Sequence, residues 1–385
     1  MNPALLRKKF KETFGRDAEQ ETLFFAPGRV CLIGEHIDYN GGLVVPAAIS
    51  LGIYGVARPT KKNVLHITSS LDNKEFVFNL KEKYTCNEKY SWANYPLGVA
   101  QYFIDKGYNI GGCEIQFTST LPVGSGLSSS AAVEVLTAYI LATLHNTKLS
   151  KTEITLLAKD VENNFVGVQC GIMDQFAVAH GATNKAIKLN CSTLEYELLP
   201  LELTDYQLVI FNTNKKRALA ESAFNTRVKE CNQALQLIQQ HEEITCLADA
   251  TPEMVEQYVK DATLKKRAKH VVTENIRVAH AAAVLKEKNI EAFGKLLFES
   301  HASLSKNYEV AGKELDTFVD FCLTYNGCVG AKMTGAGFGG CAVALVKTEN
   351  VETFIVSAIE NYNLQTGLQG NAYVANICDG VKRVG

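Results

Sequence analysis

The chain of 385 residues carries almost no net charge: 39 Lys and Arg stand against 41 Asp and Glu, leaving −2 with His neutral. That balance gives no electrostatic case for a nucleic acid or an acidic membrane as partner. No two cysteines stand at C-x-x-C spacing, and the eleven present are an odd, irregular set. A disulfide framework or a zinc site needs paired spacing, so the pattern argues against both and for reduced, buried thiols in a cytosolic protein. Long apolar runs are also missing. The longest, 41–57, is broken by Pro46, Gly52 and Gly55 and reads as two strands or a strand and a bend. The first residues, MNPALLRKKFKETFG, are charged and helical in period, with no apolar signal core. Internal repeats, low-complexity tracts and obvious linkers are absent as well. What remains is an ordinary soluble mix, 46% hydrophobic and 21% charged, long enough for about two domains.

The most informative stretch is Leu121 to Val135, LPVGSGLSSSAAVEV. It joins an alternating apolar run, 113–121, to an apolar segment of helical period, 131–144. Gly124 and Gly126 let the backbone turn tightly and approach a ligand. Ser128, Ser129 and Ser130 fall where a helix starts, with unpaired N–H groups and a positive dipole end. Such a loop suits an anion, phosphate above all. Its plain alternative is a Gly-Ser turn with a serine N-cap. No Lys follows the second glycine, so the loop is not a Walker A motif.

Along the chain the spacing predicts a short amphipathic helix over 1–14, a turn at Pro27-Gly28, and a strand from Arg29 to Ile33 broken by Gly34. Glu35, His36 and Asp38 then crowd three ionisable groups into four residues. Arg29 lies in an otherwise apolar strand, and a lone buried charge needs a partner. Short alternating runs over 50–85 read as antiparallel strands with turns at 61–63 and 72–73. Helices are expected over 91–106, 130–144 and 150–161, with Glu162 near the end of the last. In CGIMDQF, 170–176, Asp174 sits among apolar neighbours, where a carboxylate must be hydrogen-bonded or paired. Past residue 200 come a strand at 206–212, a basic loop at 214–217, and helices over 217–240, 252–261, 263–288, 291–308 and 312–325. A second glycine-rich turn, TGAGFGG (334–340), lies between strands 328–333 and 341–347, followed by a helix over 350–363 and a strand over 371–377. The simplest organisation is mixed α+β in two lobes, 1–200 and 201–385.

Three blocks in this order, GRVCLIGEHIDY (28–39), PVGSGLSSSAA (122–132) and KMTGAGFGGC (332–341), resemble the GHMP small-molecule kinases, and within them the galactokinase family. CGIMDQ (170–175), NTNKKRALAESAF (212–224), HVVTEN (270–275) and ESHASL (299–304) are similar to the same family. The resemblance covers nearly the whole chain. It implies a two-lobed fold of mixed sheets packed with helices, an active site between the lobes, and Mg²⁺-dependent transfer of the ATP γ-phosphoryl to the C1 hydroxyl of galactose. By position it implies that Gly124, Ser125, Gly126, Leu127, Ser128, Ser129 and Ser130 cradle the ATP phosphates, with Ser69 near the adenine. Ser130 and Glu162 would hold Mg²⁺. Asp174 would act on the sugar hydroxyl, as base or as positioner, with Arg29 beside it. Glu35, His36, Ile37, Asp38, Gly171 and Phe224 would contact the sugar. The implied partners are galactose and ATP, with no nucleic acid or membrane, for a cytoplasmic, monomeric chain.

Physical chemistry agrees with that assignment: phosphoryl transfer asks a protein for in-line positioning and charge neutralisation. One hydroxyl and one carboxylate suit Mg²⁺ bound with a nucleotide. Two positions depart from the family. Cys31 stands where Asn is usual, and Phe224 replaces a Tyr whose hydroxyl reaches the sugar, a loss of roughly 0.5–1.5 kcal/mol. Phe224 therefore keeps open a kinase for N-acetylgalactosamine or arabinose. A silent sugar and ATP sensor is the remaining alternative, disfavoured by the complete loop and acids.

Overall fold

A computed structural model describes residues 2–15, 21–72, 74–122, 124–215 and 220–384. Met1 of the expected first helix, Asn73 of the second expected turn, Val123 of the glycine-serine loop, and 216–219, where the basic loop and the helix 217–240 meet, lie outside these residues. Twelve strands are present among them: β1 Thr22–Ile33, β2 Leu43–Thr60, β3 Val64–Ser69, β4 Glu75–Asn79, β5 Gly112–Ser119, β6 Lys185–Asn190, β7 Tyr196–Pro200, β8 Tyr206–Asn212, β9 Cys328–Thr334, β10 Cys341–Lys347, β11 Asn371–Ala375 and β12 Lys382–Val384.

They form two sheets. The larger runs β12-β1-β2-β5-β3-β4, with β6 and β7 continuing from the start of β2. All its pairings are antiparallel except β3 with β5. The smaller runs β11-β8-β10-β9. β1 is buried along almost all of its length, which fits its near-continuous apolar sequence. Helices cover both of its neighbourhoods: Gly55 of β2 meets Leu136 and Ile140 of the helix Ser129–Leu144, and Gly34 meets Val278 of the helix Ala262–Lys286.

Several expectations change in detail. Pro27-Gly28 does not turn the chain. β1 passes straight through, and the irregularity falls on the partner: Pro27 pairs with Gly52 and Gly28 with Ile49, so Ser50 and Leu51 bulge. The run 41–57 is one long strand, because a bulge absorbs what looked like a break. The helix expected to 308 is α-helical only to Ser303 and finishes in a wide π turn, Leu304–Tyr308. A second π turn, Val161–Val166, carries Glu162. β6, β7 and β12 were not anticipated. They are short and polar-flanked, and β12 is recruited by pairing with β1 from the far end of the chain.

The sheets meet at the C-terminal end of β1. The Cys31 N–H donates to Thr334 Oγ1 (2.9 Å), and Lys332 Nζ donates to the Cys31 carbonyl (3.1 Å). Lys332 is fully buried, and its ammonium also reaches Glu35 Oε2 (2.6 Å) and the Met333 carbonyl (2.8 Å). Three acceptors satisfy its three donors, which is what makes a buried ammonium tolerable. Lys332→Met would strand the Glu35 carboxylate and is expected to lower stability by about 3–5 kcal/mol, read as a drop in the urea midpoint at unchanged m-value.

Candidate active site

Arg29 organises the site. Its Nε and Nη2 donate to Asp174 Oδ1 (2.7 Å) and Oδ2 (2.8 Å), a bidentate pair, while Nη1 donates to the Gly126 carbonyl (2.9 Å). One side chain thus joins β1, the glycine-serine loop and the helix Met173–His180. Burial works against the Arg29 charge, but the charge and hydrogen bond of Asp174, together with the nearby Glu35, leave its pKa above the ordinary value. Ser128 Oγ adds a third donor to Asp174, at 2.6 Å from Oδ2.

Ser128 occupies the N-cap position of its helix in a left-handed conformation (φ 62°, ψ 44°) and makes no side-chain capping bond. Its hydroxyl is turned to Asp174, so it does not cap the first N–H groups of the helix as a plain serine N-cap would. Gly124 and Gly126 both have positive φ, and open space lies over Gly124. Ser125 and Leu127 are buried, whereas Ser129 is exposed and Ser130 half-buried. The TGAGFGG turn packs against this loop: a Cβ on Gly335 would stand 2.7 Å from the Gly126 carbonyl.

Beside the pair lies a cavity of about 650 Å³ lined by Arg29, Asp38, Gly171, Asp174 and Phe224, with Glu35, His36 and Glu162 on its walls. Asp38 aims its carboxylate across it, and a Cβ on Gly171 would collide with Asp38 Oδ2. Burial, then the charge of Asp174, pushes the Asp38 pKa up to about 6. Glu35 reaches the wall with both oxygens engaged, by Lys332 and by the Gly335 N–H (2.5 Å). His36 is left-handed (φ 64°), buried, and pushed by that burial to about 3. Its Nε2 faces the Ala336 carbonyl (3.1 Å) and must carry the proton, so Nδ1 accepts from Tyr39 (2.9 Å). Tyr39 then accepts from Tyr308 (2.8 Å), and Tyr308 from the Cys231 thiol (3.1 Å), a neutral relay with a single polarity. The Phe224 ring packs on His36 and Tyr39.

Ile37 and Ser69 lie apart from both this cavity and the glycine-serine loop. Ile37 is fully buried in the core. Ser69 lies at the end of β3 by a separate depression with Lys9, Glu75 and Gln116, and its hydroxyl closes a turn by accepting from the Leu71 N–H (3.2 Å). Other residues matter more than their sequence suggested. Glu274 accepts from the Gly34 N–H (2.9 Å), Asn275 from the Leu43 N–H (2.8 Å), and His270 donates from Nε2 to the Glu35 carbonyl (3.1 Å). Ser300 and Ser303 in turn donate to Glu274 and His270. The HVVTEN and ESHASL stretches therefore hold the backbone of the EHIDY loop. Nothing in their spacing signals this, because the acceptors and donors they serve are backbone atoms more than 200 positions away.

Glu162 is buried, which raises its pKa, an effect opposed by a hydrogen bond from Ser130. Gln175 Nε2 donates to its Oε2 (2.6 Å). The Ser130 hydroxyl, in the first turn of the helix Ser129–Leu144, and the Glu162 carboxylate are a hard-oxygen donor pair of a kind that fits Mg²⁺.

Family models match three parts of the chain. GHMP kinases N terminal domain covers residues 94–182, GHMP kinases C terminal covers 281–364, and the galactokinase galactose-binding signature covers 8–59. A mevalonate kinase from Methanococcus jannaschii shares the fold, with a TM-score of 0.67 at 22% identity over 94% of this chain and 100% of its own. The fold is that of the GHMP kinases. Galactokinases from Clostridium tetani and Enterococcus faecalis are each 45% identical, over 100% and 99% of this chain and 98% and 99% of theirs. The Lactococcus lactis galactokinase, solved in complex with galactose, superposes with a TM-score of 0.94 at 41% identity, covering 99% of both chains. This chain belongs to the galactokinase family.

Asp38 gives a pH test of the site. Its folded pKa of about 6 exceeds the ordinary 3.8, so the folded state binds more protons than the unfolded state between those values. Its ionisation therefore erodes stability as pH rises through that window. Asp38→Asn is expected to melt at a higher temperature than the parent at pH 7, with the difference vanishing near pH 4.

Proposed function

We propose that the protein transfers the γ-phosphoryl of ATP to the C1 hydroxyl of α-D-galactose, giving galactose 1-phosphate and ADP. The observation carrying this reading is the Arg29–Asp174 pair, set between the glycine-serine loop and a cavity that also carries Asp38. The lobes, dividing near residue 200, would bring nucleotide and sugar together there.

Asp174 has room for about four hydrogen bonds. Arg29 and Ser128 take two on Oδ2 and one on Oδ1, which leaves Oδ1 to accept the sugar hydroxyl. Three donors weaken a carboxylate as a base, so its main work is to orient that hydroxyl in line. The remaining guanidinium donors of Arg29 face charge on the transferring group. Asp38 would accept from sugar hydroxyls once ionised, and Gly171 leaves the space its carboxylate needs. The exposed start of the Ser129–Leu144 helix would take the phosphates. Ser130 and Glu162 would hold Mg²⁺, which supplies neutralisation of phosphate charge. Eleven cysteines without a disulfide support a reducing, cytoplasmic setting.

A coupled ADP-release assay with ATP, Mg²⁺ and a panel of galactose, 2-deoxygalactose, N-acetylgalactosamine, glucose, mannose and arabinose tests the reading. Galactose is expected to be preferred, and Asp174→Ala to lose turnover. Preference for N-acetylgalactosamine or arabinose would keep the chemistry and move the specificity to the wall around Phe224. Binding of both substrates without turnover would overturn the enzyme. Gly171→Ala should raise the sugar KM roughly tenfold to a hundredfold by displacing a charged acceptor, with the ATP KM unchanged. Phe224→Tyr should lower the sugar KM roughly threefold to tenfold by adding one hydroxyl.

A further inference from the structure

Most polar side chains on the wall of the cavity beside Arg29 are already bonded within the protein. Arg29 pairs with Asp174, Glu35 is held by Lys332 and the Gly335 N–H, and both ring nitrogens of His36 are engaged. Ser222 and Asn225 differ. Both line the cavity from the first turns of the helix Ala220–Gln239, and neither side chain hydrogen-bonds to another described residue. Successive helical residues are turned by about 100°, so Ser222, Phe224 and Asn225 share one arc with Asn225 at its middle. The two residues flanking it both face the cavity, which aims Asn225 into it. Phe224 turns its ring onto His36 and Tyr39. Just beyond the arc the helix is pinned: Arg227 donates from Nε to the Tyr308 carbonyl (2.7 Å) and from Nη2 to the Glu309 carbonyl (3.1 Å). The Asn225 amide is thus a free polar group carried on a fixed backbone.

The chemistry of the wall says what this amide would meet. Asp38 and Asp174, once ionised, can only accept hydrogen bonds, and the Arg29 guanidinium is bonded to Asp174 and Gly126. The wall is therefore rich in acceptors and poor in free donors. A sugar hydroxyl needs both, and a side-chain amide offers two donors without adding charge. We propose that Asn225 is a specificity-determining residue of the sugar site, donating from Nδ2 to the oxygen of a hydroxyl other than the one that is phosphorylated. This rests on the sugar site proposed above. It gives the helix a polar contact with the sugar that Phe224, lacking a hydroxyl, does not make.

The test compares kcat/KM of the full-length parent and Asn225→Ala on galactose and on each monodeoxy analogue that keeps the C1 hydroxyl. Asn225 is exposed, so its replacement leaves no buried group unpaired and the melting temperature should hold. With galactose the variant is expected to lose about threefold to tenfold, the weight of one neutral hydrogen bond, through KM, with kcat and the ATP KM unchanged. With the one analogue that lacks the hydroxyl read by Asn225, parent and variant should be equal. With the other analogues the loss should match that on galactose. A merely structural role would not follow a single hydroxyl. Asn225→Leu, which keeps the bulk and removes both polar ends, carries the same prediction should the alanine disturb the helix. Asn225→Asp, which replaces the donor by an acceptor, should lose at least as much as the alanine. Equal loss on every sugar, no loss on galactose, or a parental Asn225→Asp overturns the proposal. Failure of the kinase reading looks different. A parent that binds galactose without turnover removes the enzyme, and the same comparison of Kd by calorimetry still decides the role of Asn225. A parent that neither binds nor phosphorylates galactose removes both.

Discussion

A guanidinium buried in the middle of an apolar strand is the constraint from which the site follows. Arg29 cannot lose its proton, and its surroundings cannot hydrate it, so acceptors must be brought to it. Asp174 supplies two oxygens and Gly126 a carbonyl. Meeting that demand fixes the position of the glycine-serine loop against β1 and the start of the helix Met173–His180. The same contacts neutralise Asp174 and leave it one acceptor site. Stability and positioning are here the same set of bonds.

A second frame stands behind the first. Glu35 and Lys332 join the sheets out of contact with water, and His36 extends the joint by donating to the Ala336 carbonyl, with a relay of uncharged groups behind its other nitrogen. The relay is held together by sulfur, phenol and imidazole in one direction. A change at Cys231, outside the cavity wall, would thus be felt at the His36 ring. The EHIDY loop reads in sequence as a crowd of charges around a cavity. In space, Asp38 is the member that faces it, and Glu35 and His36 chiefly tether the TGAGFGG turn.

Much of this was legible from sequence where a local rule applies. The helix after the triple serine, the start of the helix Pro252–Tyr258, where Thr251 is the cap, and the alternating strands follow from periodicity and capping, which act over a few residues. The pairing of Arg29 with Asp174 could be anticipated as a demand, since each is an ionisable group in apolar company. Its fulfilment by the other came only from the family resemblance. The bulge opposite Pro27-Gly28 was misread because a proline and glycine look alike in a turn and beside a bulge. The roles of Glu274, Asn275 and His270 were hidden because their partners are backbone atoms, which carry no signature in side-chain sequence.

The pairing of β12 with β1 has a kinetic consequence. Phe25 pairs with Lys382 from far along the chain, so the edge of the larger sheet that carries Arg29 stays open until synthesis has passed these distant residues. Loop closure of that span is slow compared with forming a local hairpin. During that interval β1 presents an apolar strand with unpaired amides, a template for association with another nascent chain. The three residues Lys382–Val384 act as a late seal: two of them are cationic, and they cover an edge that would otherwise invite a neighbour.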